Sequence, residues 1–229
     1  MNPCTDWNCK LHTHEHHTAL SDSLLLMHER FAIKRFCFMT EYDPSTSSLA
    51  SFRIQRERFL SSLRESLPAS FKINYTAAVR LTPHLSEVAE LNRLTATADS
   101  LLPIVLPLES YTDWMDKELN HLLYKRHMKP LFLSFELYPI LYPLDVTERL
   151  LRIPDAAYQF NYKAFANPSS ARMISTLLQR GATVLLGTAS NSVEKLLHYE
   201  YDYYLELAKE VLSPSEYSFL MKRNKALWK

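Results

Sequence analysis

The chain is predicted to be α/β, built on a parallel sheet or barrel. Two observations lead there: seven β-like runs alternate with amphipathic helical stretches almost to the end, and the gaps between runs carry recognisable helix starts. A third, 47% hydrophobic content in 229 residues, is enough apolar mass for a sizeable core. The first run, 6–13, ends in His12-Thr13-His14. The next helix is expected to start at Ser21-Asp22-Ser23, ahead of Leu24-Leu25-Leu26, where a side-chain oxygen accepts from unpaired helix N–H groups. Run 35–40 contains Phe36-Cys37-Phe38-Met39, so Cys37 is expected to be a buried structural thiol, and a polar surface loop follows at 42–49. Run 72–79 leads to a helix start at Thr82-Pro83. Runs 102–107 and 130–134 come next, then a start at Asp145 with Glu148 three residues later. Run 156–161 precedes Asn167-Pro168, and run 183–187 precedes Asn191 with Glu194 and Ser213-Pro214 with Glu216. The last two signals predict two C-terminal helices, at about 191–229, packed on a single domain spanning 1–229.

Composition narrows the function classes. Lys and Arg total 26 against 25 Asp and Glu, so no overall field favours nucleic acid or an anionic membrane. The start of the chain carries Asp6, Lys10 and histidines rather than a secretory apolar run, and no later stretch is long and apolar enough to span a bilayer. With three cysteines (Cys4, Cys9, Cys37) and no redox or zinc-ribbon spacing, a cytoplasmic location is expected. Only Gly181 and Gly187 are present, against a usual share of roughly 7%. Glycine-based phosphate cradles and dinucleotide fingerprints are therefore absent, as are a G-x-S-x-G elbow, an H-E-x-x-H helix and paired C-x-x-C motifs.

His12 and His14 are the leading candidates for metal chemistry, because residues two apart on a strand point to one face and can aim both imidazoles at one ion. Glu15, Glu41 or His17 could complete such a site; the alternative is a strand end that binds nothing. Arg80 lies two past Ala78 and Lys163 two past Asn161, so each shares a face with its neighbour if the strands continue. With Thr188, Ser190 and Asn191 at a helix start, these cations could form a metal-free anion site; otherwise they reach solvent at the rim. Glu136 and Glu41 are candidate general bases. The aromatic segment with Tyr199, Tyr201, Tyr203 and Tyr204 is expected to pack as helical core, with an oligomer face as the alternative.

The ordered series of landmarks resembles the polymerase and histidinol phosphatase (PHP) superfamily, most nearly the bacterial tyrosine phosphatases of capsule and exopolysaccharide operons. That family shows H-x-H, T-P-H-H, G-A-E, I-E-F-P, A-H-P-E-R and S-D-A-H segments in order. Here His12-Thr13-His14, Thr40-Glu41-Tyr42, Thr76-Ala77-Ala78, Val105-Leu106-Pro107, Pro130 to Leu137 and Gly187-Thr188-Ala189-Ser190-Asn191 stand in those places. The resemblance implies a distorted TIM-like (β/α)7 barrel with its site at the carboxyl ends of the strands. It also implies a phosphoesterase that uses divalent metals, one of which (Mn, Zn or Fe) would sit at His12 and His14.

Set on the family pattern, several positions lose their donors. Tyr42 stands where a histidine is expected, Ala78 for a bridging glutamate and Ser134 for a histidine. Thr188 and Ser190 replace the final Asp and His, and Leu137 replaces an arginine that clamps phosphate. The expectation is a degenerate, catalytically impaired homologue, without a cofactor, that binds a protein or a phosphorylated ligand at the barrel mouth. The alternatives are an active phosphoesterase with a reduced metal site, or a structural assembly protein.

Overall fold

The computed structural model describes residues 5–9, 17–33, 35–96, 100–190 and 193–227. Seven parallel strands pair in sequence order: β1 (Thr5–Cys9), β2 (Arg35–Tyr42), β3 (Lys72–Arg80), β4 (Leu101–Val105), β5 (Lys129–Phe132), β6 (Ala157–Asn161) and β7 (Thr183–Gly187). Each lies within or overlaps one of the β-like runs, and the backbones of β1 and β7 approach one another as the sheet curls. The result is an α/β fold with a curled parallel sheet and surrounding helices, consistent with a distorted TIM-like barrel.

Pairing strength varies around the sheet. β2 and β3 run in register from Arg35↔Lys72 to Tyr42↔Val79, whereas β3 and β4 share only Val79↔Ile104 and Arg80↔Val105. Two strands end earlier than their apolar runs. The Leu106 N–H donates to the Tyr138 hydroxyl (3.2 Å) and not to a ladder carbonyl, and Ser134 turns left-handed with φ 51°.

Side-chain alternation divides the strands into two faces. Phe36, Phe38, Tyr75, Val79, Ile104, Phe132, Tyr158 and Phe160 belong to one large core shared with the helices. Cys37, Met39, Ala78, Leu131, Leu133, Ala157 and Leu185 form a second, smaller cluster on the opposite face, joined by Leu227 near the C-terminus. That second cluster is the inside of the curl, and its small residues suit a tight interior. Cys37 is fully buried there, as expected.

The helices are α1 (His17–Phe31), α2 (Leu49–Ser66), α3 (Asp113–Asn120), α4 (Tyr138–Leu141), α5 (Leu144–Leu150), α6 (Pro168–Gln179), α7 (Val193–Leu197), α8 (Tyr201–Val211) and α9 (Pro214–Ala226). Two start signals hold as read. Asn167 caps α6 by accepting from Ser169 N (2.9 Å) and Ser170 N (3.1 Å). Ser213 and Glu216 form a reciprocal capping box on α9. Ser48, in the exposed loop before α2, caps that helix by accepting from Ser51 N.

Three start signals fail. α1 is already helical at His17, so Ser21 and Ser23 lie within it, both buried. α5 begins at Leu144 behind Pro143, which places Asp145 inside its first turn. After Thr82-Pro83 there is no α-helix: the chain makes two 3-10 turns, Leu85–Glu87 and Leu91–Leu94, entered through left-handed residues His84 and Glu90. Leu85, Leu91 and Leu94 are fully buried without helical spacing, and the Thr76 hydroxyl donates to the Leu94 carbonyl, tying this segment to β3. A strict strand-helix repeat is therefore broken after β3.

The first C-terminal helix is also split, into α7 and α8. Tyr199 sits at the break, buried against Tyr162, Tyr201 and Tyr204, with a tilted 4.8 Å contact to Tyr201. Core packing thus claims Tyr199, Tyr201 and Tyr204, while Tyr203 is more than half exposed.

Candidate functional site

In a curled parallel sheet the carboxyl ends of the strands form the mouth, where loops can bring side chains from several strands together. Extending the inner-face alternation to these ends selects Glu41 and Arg80, two residues past Met39 and Ala78, and likewise Val105 and Asn161. Tyr42 falls on the other face. It is 2% exposed and packs on Phe52 of α2 with ring centroids 5.1 Å apart. Glu41, and not Tyr42, therefore presents the functional group of the β2 end to the inner face.

On the β2 and β3 side the mouth is ionic. The Arg80 Nε donates to Glu41 Oε1 (2.8 Å), its Nη2 donates to the same oxygen, and its Nε lies 3.4 Å from Asp43 Oδ2. Asp43 also accepts from the Ser45 hydroxyl (2.6 Å) and the Ser45 N–H (2.9 Å). The hydroxyl bond from Ser45, helped by its N–H and by Arg80 and opposed by partial burial, holds the Asp43 carboxyl below its usual range. Bonding to Glu41 holds the Arg80 guanidinium charged above its usual value. Arg80 thus lies at the rim, where it meets two carboxylates.

The β5 to β7 side is mostly neutral and polar. Asn161 is its hub: its Nδ2 donates to the Thr188 carbonyl (2.6 Å), and its Oδ1 accepts from Lys163 N (2.9 Å) and from the Tyr199 hydroxyl. The Asn161 N–H donates to Glu136 Oε2 (3.3 Å), so Glu136 is drawn into the same network. Next to it, the Ser134 N–H donates to Oε1 of the fully buried Gln159 (2.9 Å). Thr188 and Ser190 are both buried, and the Ser190 N–H donates to the Thr188 hydroxyl (3.2 Å) across left-handed Ala189.

Lys163 lies past the end of β6, in a 3-10 turn, so the premise of a continuing strand fails for it. Its ammonium stands 5.3 Å above the Tyr199 ring, a cation–π arrangement at an exposed position. The helix after Ser190 is only the five-residue α7, too short to supply a sizeable dipole, and Asn191 lies outside the described residues.

His12, His14 and Glu15 also lie outside the described residues, as does the side chain of His17. Among the described residues no group of three or more His, Cys, Asp or Glu side chains could hold a metal ion. At the level where a multi-metal cluster would need donors, the inner face carries Met39, Ala78 and Leu133, and the carboxylate just above them, Glu41, is bonded to a guanidinium. A cation placed on Glu41 would have to displace Arg80 first. The described residues therefore do not fit a cluster of several metals.

Gln159, Asn161, Tyr199 and Asp43 are site residues that reading the sequence for catalytic motifs missed. One signal was there to find: Tyr158-Gln159-Phe160-Asn161 alternates aromatic and amide residues, which puts two amides on the inner face of β6. Asp43 and Tyr199 enter from loops, and nothing local marks them.

No family model matches the chain. A search of curated proteins likewise finds no match. Among solved structures, the chain is similar to one from the crystal structures of YwqE from Bacillus subtilis and CpsB from Streptococcus pneumoniae, described as unique metal-dependent tyrosine phosphatases. The TM-score is 0.68 at 12% sequence identity, covering 98% of this chain and 94% of the other. Over nearly its whole length the chain shares the fold of these tyrosine phosphatases, which bears out at the level of fold the resemblance carried by the order of its landmarks.

Proposed function

We propose that the chain is a degenerate homologue of the PHP-type tyrosine phosphatases of capsule and exopolysaccharide systems, impaired in catalysis, which binds a phosphorylated protein or other anionic ligand at the mouth of a distorted (β/α)7 barrel. The observation that carries this reading is the Arg80–Glu41 pair directly above Ala78: the inner face offers a fixed cation and apolar side chains where a metal cluster would need carboxylate and imidazole donors. Arg80 supplies a planar fork suited to phosphate. A phosphate dianion replaces Glu41 on that fork, and because the pair is about half exposed it has little to overcome. Lys163 stands as a second cation at the rim, and Thr188 and Ser190 add polar groups at the end of β7; Asn191, which we include in the anion site, lies outside the described residues. The tyrosines of the C-terminal segment leave Tyr203 exposed for contact with a partner or a second copy.

The test is thermal protection of the full chain by a phosphotyrosine peptide. Protection is expected, and Arg80→Ala is expected to remove it. Equal protection of Arg80→Ala would exclude the mouth as the anion site.

One observation favours a second reading, an active metal-dependent phosphoesterase: the structural neighbours are described as metal-dependent phosphatases. On that reading His12 and His14 hold a single divalent ion, which would supply Lewis-acid charge at the phosphate. Arg80 and Lys163 would balance the remaining phosphate charge. Among the described residues no helix is long and apolar enough to cross a membrane, and we take the site of action to be the cytoplasm.

A further inference from the structure

At the opposite end of the sheet from the mouth, a cavity of about 340 Å³ opens beside the amino-terminal ends of β4 to β7. Three cationic side chains line it, each brought by a different element: Lys129 at the start of β5, Arg180 just after α6, and Arg223 near the end of α9. Asp155 is the only carboxylate among its lining residues. Its ion pair with Lys129 is long at 3.5 Å, and both side chains are well exposed, so the pair neutralises little. The Arg223 guanidinium is directed by hydrogen bonds to the Thr183 hydroxyl (3.3 and 3.4 Å). Its position is fixed by the next residue, since Asn224 is buried, accepts from Leu186 N (2.8 Å) and donates to the Val184 carbonyl (3.0 Å).

The exposed lining is mainly polar, with a small apolar part where half-buried Leu151 and Ile153 stand beside the buried Leu101, Leu177 and Tyr158. The carbonyl end of α6 also faces this region, contributing about half a negative charge. Three formal cations against one carboxylate outweigh it. Its last N–H groups are already used internally, with Gly181 N donating to the Leu178 carbonyl and Ala182 N to the Leu177 carbonyl.

From this arrangement we infer a second ligand site, separate from the mouth, for a small organic phosphate: the phosphoryl group bonds Arg180, Arg223 and Lys129, and a small carbon skeleton lies over Leu151 and Ile153. Two forked guanidinium groups match phosphate oxygens. The mixed wall discriminates against inorganic phosphate, which leaves the apolar part unfilled.

The experiment is calorimetric titration of the full chain with phenylphosphonate, which has a phosphate-like head, an apolar body and no ester bond to hydrolyse. Saturable binding is expected, tighter than that of inorganic phosphate. Exchanging Arg180→Gln together with Arg223→Gln should weaken it by roughly tenfold or more when read in the Arg80→Gln background, which removes the anion contact proposed at the mouth. Arg180→Glu, a reversal at an exposed position, should weaken it further while lowering the melting temperature of the free protein only slightly, through the carboxylate at the carbonyl end of α6, which separates ligand loss from unfolding. The inference is overturned if the native chain shows no saturable binding, if the Arg180 variants bind equally well, or if Arg80→Gln alone abolishes binding.

Discussion

Arg80 holds Glu41 at 2.8 Å through a guanidinium that stays about half exposed, so this pair contributes only about 0–1 kcal/mol to stability. Its influence on ligands is larger. Glu41→Gln should cost less than about 1 kcal/mol in urea unfolding, yet it frees Arg80 of its main competitor. Phosphotyrosine peptide binding is therefore expected to tighten in Glu41→Gln and to disappear in Arg80→Ala; weaker binding in Glu41→Gln would show that the carboxylate helps the ligand. Tyr42→His places a histidine where the resemblance expects one, but the side chain at this position faces the outer core, against Phe52. The exchange should cost about 1–3 kcal/mol and leave metal uptake by the protein unchanged, read by denaturation and by metal analysis. Linear matching of motifs placed Tyr42 at the site because it counts positions and carries no face. Alternation along β2 shows the difference: Met39 and Glu41 share one face, Phe38 and Tyr42 the other.

At the scale of elements, α6 and α9 are joined through one carboxylate. Glu216 accepts from Ser213 N (2.7 Å), the Ser175 hydroxyl (2.7 Å) and Gln179 Nε2 (2.9 Å), serving its own cap and its neighbour at once. Hydrogen bonds, led by the Ser213 side chain and then Ser175, lower its pKa to about 2. A depressed carboxylate contributes stability that is present above its unfolded value, about 4.3, and is lost as pH falls through the folded value. Stability should thus decline between about pH 4.3 and pH 2, and Glu216→Gln should flatten that part of the curve in pH-dependent unfolding. An unchanged acid limb in the variant would assign the decline to other groups. Ser213→Ala is expected to cost about 1 kcal/mol by removing the cap. Both caps that hold, Asn167 and Ser213, are followed by proline at the first helical position, so side-chain acceptor and fixed φ agree on one start. Ser21 and Asp145 lack that second signal, and the chain enters α1 and α5 earlier, whereas Thr82-Pro83 carries both and still starts no α-helix, because burial of Leu85, Leu91 and Leu94 sets the path there.

Across the whole molecule, strand positions were legible because seven short β-like runs occur in order between helical stretches, the alternation that a parallel sheet requires. The segment after β3 was not, because tertiary contacts from Leu85, Leu91 and Leu94, and not a helical period, decide its path. The mouth was legible as a location and illegible as a network, since Asn161 gathers Thr188, Tyr199 and Glu136 from other segments. Asn161→Ala should therefore cost about 2 kcal/mol or more in unfolding free energy by orphaning partners on two loops, against about 1 kcal/mol for Tyr199→Phe. The central claim, an impaired catalyst that keeps the phosphatase fold, is tested most directly by aryl phosphate turnover after chelation and reloading with manganese. The expected result is no manganese-dependent turnover above that of the His12→Ala, His14→Ala double variant. Manganese-dependent turnover that either single exchange abolishes would contradict it.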